Sequence, residues 1–146
     1  MPGLIVPILP KQTITLPHAS VTTTTVIATG INVLQFLEGM IVIRLHSLSG
    51  ATPGTNPADP NTLTLEAFAE VPSSEDPSQA FIGGSLAAVS LTHTAFPTAP
   101  ADQKAYADAK AFSTPFPAFV RVEMTQYGIT TTPSTVTISA DLVLKY

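Results

Sequence analysis

The sequence predicts an all-β protein: an antiparallel β-sandwich or jelly roll of about eight strands with one short helix. Three observations predict it. Between Ala118 and Tyr146 the chain alternates apolar and polar residues, with Val120, Val122 and Met124 opposite Arg121, Glu123 and Thr125. Val136, Ile138, Ala140, Leu142 and Leu144 likewise oppose Thr135, Thr137, Ser139 and Asp141. A period of two is the mark of a half-buried strand. Second, Val21 to Ala28 (VTTTTVIA) is β-branched almost throughout, which suits a pleated surface. Third, segments dense in Pro, Gly, Ser and Asn separate the alternating runs.

In chain order, Met1 to Pro10 (MPGLIVPILP) reads as an extended apolar arm, because Pro2, Pro7 and Pro10 deny ladder donors. Such an arm packs on its own sandwich or reaches a neighbouring subunit, and the reading leans to the neighbour. Residues 11–146 form a single β-sandwich domain. Lys11 to Leu16 is a short alternating strand ended by Pro17, and Val21 to Ala28 is the next. Thr29-Gly30 turns the chain into a strand over Ile31 to Leu37, and Glu38-Gly39 turns it into Met40 to Leu48. Residues 49–60 (SGATPGTNPADP) are a surface loop. Asn61 to Val71 is a strand, Pro72 to Ser78 a turn, and Ala80 to Thr92 a strand kinked at Gly83-Gly84, where paired glycines fit a bulge. After a loop over residues 95–101, Asp102 to Phe112 (DQKAYADAKAF) is the helix candidate, with Asp102 as cap and Lys110 in the last turn. Ser113 to Pro117 ends it. Ala118 to Gly128 and Ser134 to Tyr146 then close the fold as a long hairpin turned at residues 128–133.

The segment from Gly39 to Val71 repeats the style of this final hairpin. Ile43-Arg44-Leu45-His46 parallels Val120-Arg121-Val122-Glu123, and Thr62-Leu63-Thr64-Leu65 parallels Thr135-Val136-Thr137-Ile138. The pattern fits a duplicated sandwich, and it equally fits two independent amphipathic hairpins.

Composition bounds the function. A chain of 146 residues is one domain and buries roughly 70% of its unfolded surface. Only 11% of residues are charged, against about 25% in ordinary soluble domains. Mean hydropathy is +0.33. More apolar surface than one core requires points to a subunit interface. Six basic against ten acidic residues, with no basic cluster, argue against nucleic acid. The absence of cysteine removes disulfides, thiol catalysis and zinc-thiolate sites. The first ten residues lack the basic start of a signal peptide, and Val26 to Leu45 carries Asn32, Gln35, Glu38 and Arg44, so no membrane segment is expected.

Motifs for chemistry are few. His18, His46 and His93 lack metal-ligand spacing, and no cofactor or metal is expected. Arg44, His46 and Glu66 would form a small polar trio if their strands pair, although an ordinary cross-strand pair accounts for them as well. No Gly-x-Ser-x-Gly elbow exists, and Glu75-Asp76 lies in a turn with too few oxygens for calcium. The chain is therefore read as non-enzymatic. Phe68 and Phe119 fall on the nominally polar faces of their strands, where an aromatic more often meets a second layer or subunit than a ligand. The chain has no Trp, and Tyr127, at the turn before the last strand, is the candidate for stacking on a sugar.

The apolar arm from Pro2 to Pro10, the Thr-rich strands (Thr22 to Thr25, Thr135 to Ile138), the low charge and the terminal Ser139-to-Tyr146 strand resemble small virion proteins of tailed bacteriophages, especially head decoration or cement proteins. The resemblance implies a β-rich subunit that oligomerises, often as a trimer, on a capsid lattice and binds the major capsid protein or other virion subunits. It also implies a virion assembled in the host cytoplasm. The contact candidates on this reading are Leu4, Ile5, Val6, Ile8, Leu9, Phe68 and Phe119. The alternative is a carbohydrate- or receptor-binding module using Tyr127.

Overall fold

A computed structural model describes residues 3–16, 21–50, 62–71, 73, 75–76, 79–91, 107–115, 118–128 and 134–146. Among the described residues there are eight strands: β1 Leu4–Leu16, β2 Val21–Asn32, β3 Glu38–Gly50, β4 Thr62–Val71, β5 Phe81–Leu91, β6 Ala107–Ser113, β7 Phe119–Gly128 and β8 Ser134–Lys145. They form two four-stranded sheets, ordered β1-β8-β3-β6 and β2-β7-β4-β5. Every pairing is antiparallel. The pairings are nested. β4 pairs with β5, β3 with β6, β2 with β7 and β1 with β8, so the chain doubles back on itself about the β4–β5 connection. Successive pairs fall alternately in one sheet and the other, and β3·β8 and β4·β7 join them.

The inner faces of both sheets share one hydrophobic core. Apart from Val33, just after β2, its large fully buried members come from the strands with two neighbours: Ile41, Ile43 and Leu45 on β3, Leu63 and Leu65 on β4, Val120 and Val122 on β7, Ile138, Leu142 and Leu144 on β8. Alternation selects these residues, because each strand turns every second side chain inward.

Four expectations need correction. The terminal hairpin is absent: β7 and β8 lie in different sheets, as do β3 and β4. Alternation assigns a face, but it does not say which strand is the neighbour. The expected helix over 102–112 is strand where it is described, since β6 pairs with β3 from Glu38↔Ser113 to Arg44↔Ala107. Small alanines suit either state, and the ladder beside β3 overrides their helical preference. Residues 102–106 lie outside the described residues.

The N-terminal arm is not separate. Residues 4–10 are the first part of β1 and pair with β8. Its prolines are tolerated because β1 is an edge strand with register shifts between Pro7 and Leu9 and between Leu9 and Gln12. The first shift is a bulge that turns two consecutive residues, Ile8 and Leu9, into the core, 7% and 5% exposed. Finally, β2 does not turn at Thr29-Gly30 but continues to Asn32, and residues 33–37 make the turn. Gly30, with φ 64°, sits in a bulge between Ala28↔Val122 and Ile31↔Val120. The Gly83-Gly84 kink is present as a register shift against Phe68 and Glu70. Among the described residues no helix is long and apolar enough to cross a membrane.

Candidate interaction surface

The outer face of the β1-β8-β3-β6 sheet divides along its strands. At one end the register aligns Ile5, Val143, Met40 and Ala111 across all four strands. Ile5 is 61% exposed and Met40 37%. The neighbouring row holds Pro7, Asp141, Val42 and Ala109. Around Met40 lies a shallow depression of about 150 Å3, lined by Glu38, Gly39, Met40, Ala111, Val143 and Lys145. Gly39 makes the sheet beneath it possible, because a Cβ there would lie within 3.0 Å of three atoms of the Phe112 ring. The Lys145 Nζ–Glu38 Oε2 pair, at 3.1 Å, bounds the apolar row on one side. The Arg44–Asp141 ion pair bounds it on the other.

Beyond that ion pair the face is polar. His46 occupies the bulge between Leu45 and Ser47, and its Nε2 lies 2.8 Å from Ser139 Oγ. The trio of Arg44, His46 and Glu66 does not form, because Glu66 is on β4 in the other sheet, opposite Glu123 and Ala88. Asp141 is held by Arg44 rather than by the imidazole. Hydroxyls follow, with Thr13 Oγ1 2.8 Å from Thr137 Oγ1.

The outer face of the β2-β7-β4-β5 sheet is a polar platform. Thr24, Thr125, Thr64 and Ser90 form a row across its four strands, with Thr24···Thr125 at 3.1 Å and Thr64···Ser90 at 2.8 Å. The next row is Val26, Glu123, Glu66 and Ala88. Glu66 and Glu123 oppose one another, and Arg121 Nε donates to Glu123 Oε1 at 2.8 Å. Glu70 is 1% exposed. It accepts from Thr29 Oγ1 at 2.5 Å and from the Gly30 amide at 2.6 Å, with Arg121 Nη1 4.0 Å away. Sequence reasoning missed Glu70. The one local signal was a glycine inside a β-branched strand, and that glycine is 40 residues from its partner. Among the described residues, no group of three or more His, Asp or Glu side chains is arranged to hold a metal.

The sequence-predicted contact residues therefore scatter. Leu4 and Ile5 are exposed and Val6 is half-buried, whereas Ile8 and Leu9 belong to this chain's own core. Phe68 and Phe119 are half-buried on the other sheet's outer face. The side chain of Tyr127 lies outside the described residues.

No family model and no curated protein matches the sequence. Solved structures give low likenesses. The infectious bursal disease virus Gx strain structure aligns with 97% of this chain at TM-score 0.46 and 9% identity, and this chain spans 31% of that one. The decameric BFDV capsid protein aligns with 99% of this chain and 99% of its own length at TM-score 0.36 and 7% identity. A family 11 carbohydrate-binding module from Clostridium thermocellum aligns with 99% of this chain and 97% of its own length at TM-score 0.34 and 10% identity. Likenesses this low carry no conclusion about what this chain does.

Proposed function

We propose that this protein is a non-enzymatic assembly subunit that associates through the apolar end of the outer face of its β1-β8-β3-β6 sheet. The nested strand order is, on this reading, a jelly roll. One observation carries the proposal: the in-register row Ile5–Val143–Met40–Ala111 on a face turned away from the core. An apolar row on the outside of a sandwich gains nothing from its own fold and is favoured by burial against a second surface. Burying about 1,000 Å2 of such surface contributes about 25 kcal/mol before costs, much of which ordering and association offset. The flanking Lys145–Glu38 and Arg44–Asp141 pairs form a charged rim around the apolar centre, the arrangement expected of an interface. The proposed setting is a virion shell assembled in the host cytoplasm, with further copies of this chain (a trimer) and the major capsid protein as partners. That setting rests on the resemblance of the sequence to phage head decoration and cement proteins.

The test replaces Ile5 and Met40 by Glu together. The double variant should keep the melting midpoint of the native chain while its weight-average mass, by light scattering at equal concentration, falls below the native value. Equal masses would overturn the reading.

A second reading is favoured by a different observation. The platform of Thr24, Thr125, Thr64 and Ser90 beside Glu66, Glu123 and Arg121 offers flat arrays of donors and acceptors of the kind sugar hydroxyls use. As a glycan-binding module, the chain would lose glycan retention on Glu66→Ala with Thr64→Ala, and Tyr127→Ala would weaken it if that ring stacks on sugar. Unchanged retention in all variants would remove this reading.

A further inference from the structure

We propose that β2 is a self-pairing edge: the segment Val21 to Val26 adds to the same segment of a second copy of this chain, antiparallel, joining two β2-β7-β4-β5 sheets into one. This goes beyond the apolar-face reading, because it uses a different surface and depends on none of its residues.

The four sheet edges differ in how they are protected. A free edge presents unpaired N–H and C=O groups, and sheets blunt such edges with proline, charge, bulges or short strands. β1 carries Pro7, Pro10, Lys11 and two register shifts. β6 spans only seven residues and carries Asp108 and Lys110. β5 carries the Gly83-Gly84 irregularity and lies against β6. β5 and β2 both lack proline, Asp, Glu, Lys and Arg, but β5 has β6 packed beside it; β2 is the longer of the two, with 12 residues against 11. Its bulges begin only after Val26. From Val21↔Gly128 to Val26↔Glu123 the register against β7 is unbroken. Over that run Thr22, Thr23, Thr24, Thr25 and Val26 are all exposed.

An antiparallel ladder sends the N–H and C=O of every second residue outward. Half of the six residues from Val21 to Val26 therefore present both groups away from β7. The occupant is a second copy for reasons of charge and symmetry. The chain carries a net charge of −4, so close approach of two copies is favoured where the meeting surface is uncharged. The β2 run is uncharged and β-branched, and a two-fold axis at Thr23 or Thr24 sets outward-facing residues of one copy against outward-facing residues of the other. Paired threonines on such a ladder already occur within this protein, at Thr24–Thr125 and Thr13–Thr137.

The experiment is hydrogen exchange on the full native chain at low and high concentration, with mass measured in parallel. The alternate, outward-facing amides of Val21 to Val26 should slow by about tenfold or more at high concentration. The intervening amides, bonded to β7, should be slow at both. In the Thr23→Lys/Thr24→Lys variant, like charges meet across the two-fold axis, so dimer mass and concentration-dependent protection should both be lost. The Ile5→Glu/Met40→Glu variant should retain both. If the outward amides exchange quickly at every concentration while the native chain still assembles, β2 pairing is overturned and the apolar-face reading stands. If they slow but Ile5→Glu/Met40→Glu leaves the mass unchanged, the opposite holds. Fast exchange in a chain that stays monomeric overturns both.

Discussion

The Glu70 carboxylate on β4 accepts a hydrogen bond from the backbone amide of Gly30 on β2 at 2.6 Å, although β7 lies between the two strands. Its other oxygen takes the Thr29 hydroxyl at 2.5 Å, and Arg121 of β7 lies 4.0 Å away. One buried side chain thus fixes a bulge two strands away.

Replacing Glu70 should show this. Glu70→Ala leaves the Thr29 hydroxyl and the Gly30 amide without their acceptor and removes an anion beside Arg121. Hydrogen bonds to charged groups contribute about 1.5–3 kcal/mol each, so a loss of about 2–4 kcal/mol is expected in urea denaturation. Glu70→Gln keeps one amide oxygen as acceptor and should lose roughly half as much. A loss within error for both variants would show that the bulge holds itself.

Gly30 tests the backbone side of the same contact. Its φ of 64° is left-handed, and no atom lies within 4 Å of where a Cβ would stand, so space is free while conformation is strained. Gly30→Ala should cost about 1–2 kcal/mol and Gly30→Asn clearly less, because Asn tolerates this region. Equal losses in thermal melts would mean that a side chain itself, not the dihedral, is resisted.

Gly39 poses the opposite problem. A Cβ there would meet three atoms of the Phe112 ring at 3.0 Å or less. Gly39→Ala should cost about 1–3 kcal/mol by overpacking. Adding Phe112→Leu should recover part of that loss, so the double-mutant cycle is non-additive. Strict additivity would separate the two residues.

Faces were legible in the sequence and neighbours were not. Val120, Val122 and Met124, and Val136 through Leu144, are buried in the alternation read from the sequence. The same alternation misplaced the partner of β8, because a period of two carries no information on which sheet a strand joins. The partners of β8 are β1 and β3, more than 80 residues away in sequence. The Ala107-to-Phe112 stretch misled because alanine favours helix, and only its ladder with β3 overrides that preference. The apolar row on the outer face was half-visible. Ile5 stands out in the sequence as a contact residue, but Met40, Val143 and Ala111 join it only through register. Ile8 and Leu9 cannot both be inward on a regular strand, and no sequence rule places the bulge that allows it.

The bulged first strand is tested by deleting it. If residues 1–10 were a separate arm, deleting them would leave the melting midpoint unchanged and affect assembly alone. Here residues 4–9 pair with residues 140–144 of β8, and Ile8 and Leu9 are buried. Burial of each such side chain contributes about 1.5–3 kcal/mol. Lost ladder bonds add to this, against a total stability of about 5–15 kcal/mol for a domain. The deletion also turns β8 from an inner strand into an edge and uncovers the inner-face side chains of Leu142 and Leu144 to water. The shortened chain should therefore unfold at markedly lower urea concentration, or not fold at all. Ile5→Glu separates the two roles of the segment, because Ile5 faces outward: it should leave the midpoint in place while weakening association. A deleted chain with a native midpoint would return residues 4–10 to the status of an arm.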